Sequence, residues 1–299
     1  MIQYLYLGRV GYDEGLRLQA EMAGLRLTGR VENVLLLLEH PPVLTLGRNA
    51  KRAHVLASDE MLARRGVALH EINRGGDVTY HGPGQLVGYP IFDLRSLRGP
   101  NGGRMGPVDF VRGMEEALIR LCAEFGVKAG RIGGLTGVWC EVSTVVSCQP
   151  SVESCAAEEV QFAGPERKIG AIGIHVARGI TSHGFAFNVT TDLRDFELIV
   201  PCGIADHAVT SLEREVAPGV ALPGLEPVAH QAARLFGAVF DEQVVQVESV
   251  ETLRAAAGAV AAPASGRVAA PALPAEDTPM RAPAEVERLR CVAERPVQA

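Results

Sequence analysis

Cys202 has the local setting of a nucleophile. It lies in Val200-Pro201-Cys202-Gly203-Ile204, where Pro fixes the approach and Gly lets a second backbone or a ligand come close. A thiol on such a turn faces a cleft, whereas most unpaired thiols are packed as small hydrophobes. Cys122, within a helical pattern, and Cys140, within a strand pattern, fit that ordinary role. The attacking species is the thiolate, so Cys202 needs a cation or base beside it. His175, His183, His207, Lys168 and Arg74 are the candidates. Of the 29 basic residues only three are Lys, at 51, 128 and 168, so Lys168 draws attention as an amine that can lose its proton where Arg cannot. The bland alternative for Lys168 is a solvated strand end.

A second concentration of polar groups lies at Arg74-Gly75-Gly76-Asp77-Val78-Thr79-Tyr80-His81-Gly82-Pro83-Gly84-Gln85. Five of these twelve residues are Gly or Pro, which argues against an ordinary helix or strand. Two readings stand at parity. One is a tightly bent backbone converging its polar groups on a ligand, and the other is a polar hairpin turning at Gly-Pro-Gly.

Other chemistries find less support. Cys140, Cys148 and Cys155 include no C-x-x-C pair, so a structural zinc site and any metal requirement are disfavoured. No G-x-x-x-x-G-K-[ST] loop and no G-x-G-x-x-G after a strand is present, so no nucleotide cofactor is expected. The net charge of −6 is spread along the chain and leaves no basic footprint for nucleic acid. No apolar run reaches the roughly 18 residues of a membrane span, and the N-terminus lacks a basic leader. Six Cys in 299 residues are too sparse for a disulfide framework. A cytoplasmic monomer is the expectation.

The elements that must position these groups follow from periodicity. Val34 to Leu38 reads as a buried strand entering a turn, and Leu86 to Leu94 as a strand with Pro90 at a bulge or edge. Val111, Met114, Leu118, Leu121 and Phe125 mark a helix opening near Pro107 and stopping at Gly126. Gly137 to Val142 reads as a strand. Lys168 to Val176 and Gly184 to Val189 read as a strand pair joined through Ala177 to Ile180. A second amphipathic helix opens near Glu226-Pro227. Short connections and few alternating helices predict an α+β layer rather than a doubly wound parallel sheet. Residues 143–167 read as an inserted surface loop. From Ala255 to Ala275, 14 of 21 residues are Ala or Pro, so residues 251–299 are expected to be a disordered tail beyond a domain spanning 1–250.

Five motifs in order resemble the lipoyl(octanoyl) transferases. They are Leu38-Glu39-His40-Pro41-Pro42-Val43 with Leu46-Gly47-Arg48, then Arg74 to Gln85, then Lys168 to Gly173, then Gly184 to Asn188, and last Pro201 to Ile204 with Val209 to Leu212. The resemblance runs from about Leu5 to Phe240, and position 77 is Asp where many members carry Gln. It implies the lipoate/biotin protein ligase fold, a mostly antiparallel mixed sheet with helices packed on it. It implies movement of octanoyl from acyl carrier protein to a lysine of lipoyl domains, on dehydrogenase-complex subunits or on the glycine-cleavage H protein. By position, Cys202 becomes the acyl-thioester nucleophile, and Lys168 the partner that lowers the thiol pKa and moves protons. Arg74 to His81, Ala171-Ile172-Gly173 and Gly184-Phe185-Ala186 become the acyl-binding stretches. Glycines 170, 173 and 184 are expected to leave a trough for the acyl chain. An ATP-dependent lipoate or biotin ligase of the same fold, and a non-catalytic acyl- or lipoyl-domain-binding module, are the alternatives.

Overall fold

The aliphatic run of Asn33–Glu39 is continuous because both faces of its strand are covered. Leu35 and Leu37 enter one core and Val34, Leu36 and Leu38 another. The computed structural model describes residues 1–140, 166–200 and 208–259. In chain order these form β1 (Ile2–Arg9), α1 (Tyr12–Leu27), β2 (Asn33–Glu39), β3 (Val43–Leu46), α2 (Asp59–Arg65), β4 (Ala68–Glu71), β5 (Val78–His81) and β6 (Gln85–Ile91). There follow α3 (Pro107–Glu124), β7 (Ala129–Ile132), β8 (Leu135–Cys140), β9 (Arg167–Ala177), β10 (Ile180–Asn188), β11 (Ala208–Val209), α4 (Leu212–Glu215), α5 (Leu225–Phe240), β12 (Val244–Gln246) and α6 (Val250–Ala259). No described helix is long and apolar enough to cross a membrane.

Among the described residues the main sheet has nine strands in the order β12-β1-β2-β6-β10-β9-β8-β7, with β11 on β9. Pairings through its centre, β2 with β6, β6 with β10, β10 with β9 and β9 with β8, are antiparallel. β1 pairs in parallel with β2 and β12, and β11 in parallel with β9. This is the expected mostly antiparallel mixed sheet. Residues of α3 and α5 fill the core on one face, with Phe110, Leu118, Phe236 and Phe240 among them. Residues of α1 and α6 fill the core on the other, with Leu18, Met22 and Leu253. A smaller sheet, β4-β3-β5, has its own core with Leu44, Val78, Tyr80 and Phe196.

Local chemistry explains the main elements. Pro107 starts α3, whose Asp109 carboxylate accepts the Gly106 N–H, and Gly126 at φ +72° ends it with N–H bonds back to Ala123 and from Val127 to Cys122. Arg178 and Gly179, at φ +53° and +85°, form the two-residue turn between β9 and β10 that matches strand twist.

Four expectations need correction. Arg74 to Gln85 is neither strand-free nor a hairpin: Val78–His81 is a strand, and Gly82 to Gly84 carry the chain from the small sheet to the main one. Pro90 is not on an edge, since β6 lies between β2 and β10. The β10 ladder ends at Gly88, and beyond it the Thr181 hydroxyl donates to the Pro90 carbonyl and accepts the Phe92 N–H, so these backbone groups stay bonded where Pro90, without an N–H, interrupts the ladder. Residues 251–259 are not unstructured but lie in α6. Ala is the strongest helix former, Ser249 accepts the Thr252 N–H at the start, and Leu253 and Ala257 are buried. Arg254 pairs with Glu21 of α1 at 2.7 Å. Finally, Arg167 belongs to β9 rather than to the insert, held by a two-pronged bond to Glu215. Residues 143–165 of the insert and residues 260–299, with Cys148, Cys155 and Cys291, lie outside the described residues.

Candidate active site

A cavity of about 190 Å3 opens between the two sheets. The main sheet contributes Val87 and Tyr89 from β6, Ala171 to Gly173 from β9, and Gly184 to Ala186 from β10. The small sheet contributes Thr79 and His81, and the loop before it contributes Arg74, Gly76 and Asp77. Lys168, Gly134 of the turn between β7 and β8, and Leu135 and Thr136 at the start of β8 complete one part of the wall, with Tyr12 and His183 in another.

Strand parity sorts the predicted residues. Thr79 and His81 line the cavity, whereas Val78 and Tyr80 join the core of the small sheet. Tyr80 donates its hydroxyl proton to Asp195 Oδ2 at 2.8 Å, away from the cavity, so it does not shape the pocket as expected. Gly75 lies behind the lining, its N–H bonded to the Ile174 carbonyl at 2.9 Å. Asp77 accepts its neighbour's N–H from Val78 and bonds His54 Nδ1 at 2.7 Å.

The trough expected from glycines 170, 173 and 184 has another basis. A Cβ on Gly173 would sit 2.6 Å from the Gly75 carbonyl, and one on Gly184 would sit 2.1 Å from the Gly88 carbonyl. One on Gly170 would meet Val138 and Leu118 in the core beneath α3. Gly173 and Gly184 let the chain's own backbone approach, and the small side chains of Ala171 and Ala186, paired across β9 and β10, leave room for a ligand.

Lys168 is 7% exposed, and its Nζ lies 4.5 Å from the centre of the Trp139 ring. The ring face attracts the ammonium and fixes its direction. Gly137 permits this approach, since any Cβ there would lie 3.3 Å from Lys168 Cε and 2.6 Å from the Gly170 carbonyl. Gly137 is in turn held by its N–H, which donates at 2.9 Å to the carboxylate of Glu115, wholly buried on α3. Arg112 and Arg131 balance that carboxylate.

A polar chain fixes the opposite wall. Arg74 donates to the Thr45 carbonyl at 2.7 Å and to its hydroxyl at 2.9 Å. His81 Nδ1–H donates to Gln85 Oε1 at 2.7 Å, and Gln85 Nε2 donates to the Tyr80 carbonyl and to Asn188 Oδ1. Asn188 then donates to the Thr210 carbonyl, and the Thr210 N–H bonds the Lys168 carbonyl. Burial, reinforced by His40, pushes the His81 ring down to about 3, and burial with Arg74 pushes His183 down to about 4. Both rings are neutral at neutral pH. Burial raises the Tyr12 phenol, so it stays protonated.

Of the candidate activators, Lys168, Arg74 and His183 share this cavity, and His175 does not line it. Cys202 and His207 lie outside the described residues. The described chain on either side of Cys202 borders the site. The Val200 N–H bonds the His54 carbonyl, whose ring contacts Asp77, and Ala208–Val209 pairs with Arg167 and Lys168. Sequence reasoning missed Tyr12, Val87, Tyr89 and Gly134 to Thr136. Val87 and Tyr89 were accessible from alternation along the strand after the motif, whereas nothing local marks Tyr12.

A family model for the lipoyl protein ligase A/B catalytic domain matches residues 12–232. A protein of Acidobacterium capsulatum named octanoyltransferase is 59% identical over 250 residues, 83% of this chain and 94% of its own length. The chain belongs to the octanoyltransferase family. Another octanoyltransferase, from Koribacter versatilis, is 47% identical over 97% of both chains. Among solved structures, lipoate-protein ligase A bound with ATP superposes with a TM-score of 0.58 at 17% identity, covering 86% of this chain and 92% of that one. The Thermoplasma acidophilum protein Ta0514, a putative lipoate protein ligase with bound lipoic acid, superposes with a TM-score of 0.56 over the same shares. At that identity these structures establish the fold, which is the expected lipoate-ligase type.

Proposed function

We propose that this enzyme moves an octanoyl group from octanoyl-acyl carrier protein to a lysine of a lipoyl domain, through a thioester on Cys202. The observation that carries this reading is a single cavity lined by Lys168 together with both small-residue stretches, Ala171 to Gly173 and Gly184 to Ala186. Octanoyltransferase relatives supply the reaction class. Apolar walls from Val87, Ile172 and Phe185 suit an alkyl chain, at about 0.8 kcal/mol per buried CH2.

The chemistry needs no activation by ATP. The Cys202 thiolate attacks the donor thioester carbonyl, and the carrier thiolate leaves with a proton from Lys168. One thioester replaces another at little free-energy change. Neutral Lys168 then takes a proton from the incoming lysine ammonium, whose amine attacks the Cys202 thioester. The amide forms, the Cys202 thiolate leaves, and the amide nitrogen's remaining excess proton passes to solvent. Amide formation draws the second step downhill, and the covalent intermediate lets one partner protein depart before the other docks. An ammonium beside the thiol favours the thiolate. Arg could supply that charge but could not cycle the proton.

Separating the two half-reactions tests these roles. Lys168→Arg should retain measurable acylation of Cys202 while losing transfer to a lipoyl domain. Equal loss of both half-reactions would remove the proton-cycling role. Ligation by Cys202→Ala from free lipoate and ATP would instead identify an ATP-dependent ligase.

A further inference from the structure

His183 belongs to two hollows at once. It lines the cavity described above, and it lines a groove of about 380 Å3 formed by Leu16, Gln19, Ala20 and Ala23 of α1, Glu71 to Asn73, and Ser182. Sequence neighbours divide between the two spaces. Arg74 and Gly184 face the cavity, while Asn73 and Ser182 face the groove. The imidazole therefore stands in the wall between them.

That wall is built rather than incidental. His183 is 5% exposed, and its Nε2–H donates to Asn73 Oδ1 at 2.7 Å. Its backbone N–H donates to Gln19 Oε1 at 2.7 Å. Its φ of +56° is a conformation that a non-glycine residue adopts only when its surroundings hold it there. It also stands far from the reacting end. His183 pairs with Ile174, six residues along β9 from Lys168, so it lines the part of the cavity away from that amine. The ring is neutral at neutral pH, as a group meeting the end of an alkyl chain should be.

We propose that His183 is a specificity-determining end-stop, closing the cavity against the groove on α1 and so limiting the length of acyl chain accepted. The inference rests on the reading of the cavity as an acyl site. Removing the imidazole joins the two spaces and gives a longer chain somewhere to go.

His183→Gly is the informative change, because Gly takes a positive φ without strain, and His183→Asn is a second variant that tolerates the same backbone. Binding of octanoate and dodecanoate is measured by calorimetry, and transfer to a lipoyl domain is measured with octanoyl- and dodecanoyl-carrier protein. The wild-type protein should favour eight carbons in both assays. His183→Gly should raise the twelve-to-eight preference at least tenfold in both. Ala20→Phe, which refills the groove from exposed α1 surface, should reverse that gain. A preference within twofold of wild type in both His183 variants would overturn the end-stop while leaving the acyl site intact. Failure of the wild-type protein to bind either acid would overturn the acyl site, and the end-stop with it.

Discussion

Glu115 connects the stability of the fold to the position of Lys168, and its removal should be felt in both. Its carboxylate is wholly buried, accepts the Gly137 N–H at 2.9 Å, and faces Arg112 at 2.8 Å and Arg131 at 3.1 Å. Breaking a fully buried ion pair costs about 3–5 kcal/mol. Here the side chain of Arg112 is 47% exposed and that of Arg131 22%, and Arg131 keeps Glu116, so solvent and the second carboxylate recover much of that cost. The orphaned Gly137 N–H adds about 1–3 kcal/mol. Glu115→Ala should therefore destabilise by about 2–4 kcal/mol. Glu115→Gln, which retains an oxygen for Gly137 but not the charge, should lose less. The assay is urea unfolding, with single-turnover octanoyl transfer measured under conditions where the variant remains folded. Gly137 packs against Lys168, so a shift of about 1 Å at the start of β8 should slow transfer up to a hundredfold in Glu115→Ala. A loss below about 1 kcal/mol with an unchanged transfer rate would refute this coupling.

Other outcomes follow from the same geometry. Gly173→Ala places a methyl group 2.6 Å from the Gly75 carbonyl, and should cost about 1–3 kcal/mol while weakening octanoate binding, as calorimetry would register. The depressed rings of His40, His81 and His183, at about 4, 3 and 4, stay neutral in the fold while the unfolded chain takes up protons below about pH 6.5. Stability should thus be fully present above that pH and fall between pH 6.5 and 4, by up to about 1.4 kcal/mol per pH unit for each ring. Urea midpoints that are flat over this interval would contradict the buried neutral state.

Much of the scaffold was legible because local and global signals agree. The apolar run at β2, the helical spacing of α3 between Pro107 and Gly126, and the β9–β10 pair each carry one unambiguous period. The α1 helix was not visible, since Gly11 offers no capping side chain and Gly15 and Gly24 interrupt the pattern. Gly15 is needed nonetheless, because a Cβ there would lie 3.0 Å from the His40 ring. The small sheet was hidden by its four-residue strands and by Gly-rich neighbours that resemble a loop. At the site, the motifs at Arg74 to Gln85, Lys168 to Gly173 and Gly184 to Asn188 do meet, but the sequence did not show which alternate residues point inward. That choice depends on β5 belonging to a different sheet from β6, a tertiary fact that sends Tyr80 to Asp195 and His81 to the cavity. The glycines were equally ambiguous, since a missing Cβ looks the same whether a ligand or the Gly75 carbonyl fills the space.

The central claim is a covalent acyl-enzyme on Cys202. Incubation with octanoyl-acyl carrier protein, followed by intact-mass and peptide mass spectrometry, reads it directly. The account predicts one octanoyl group on Cys202, released by hydroxylamine and discharged on addition of a lipoyl domain. Octanoyl transfer at the wild-type rate by Cys202→Ser, with no adduct on the wild-type thiol, would contradict it.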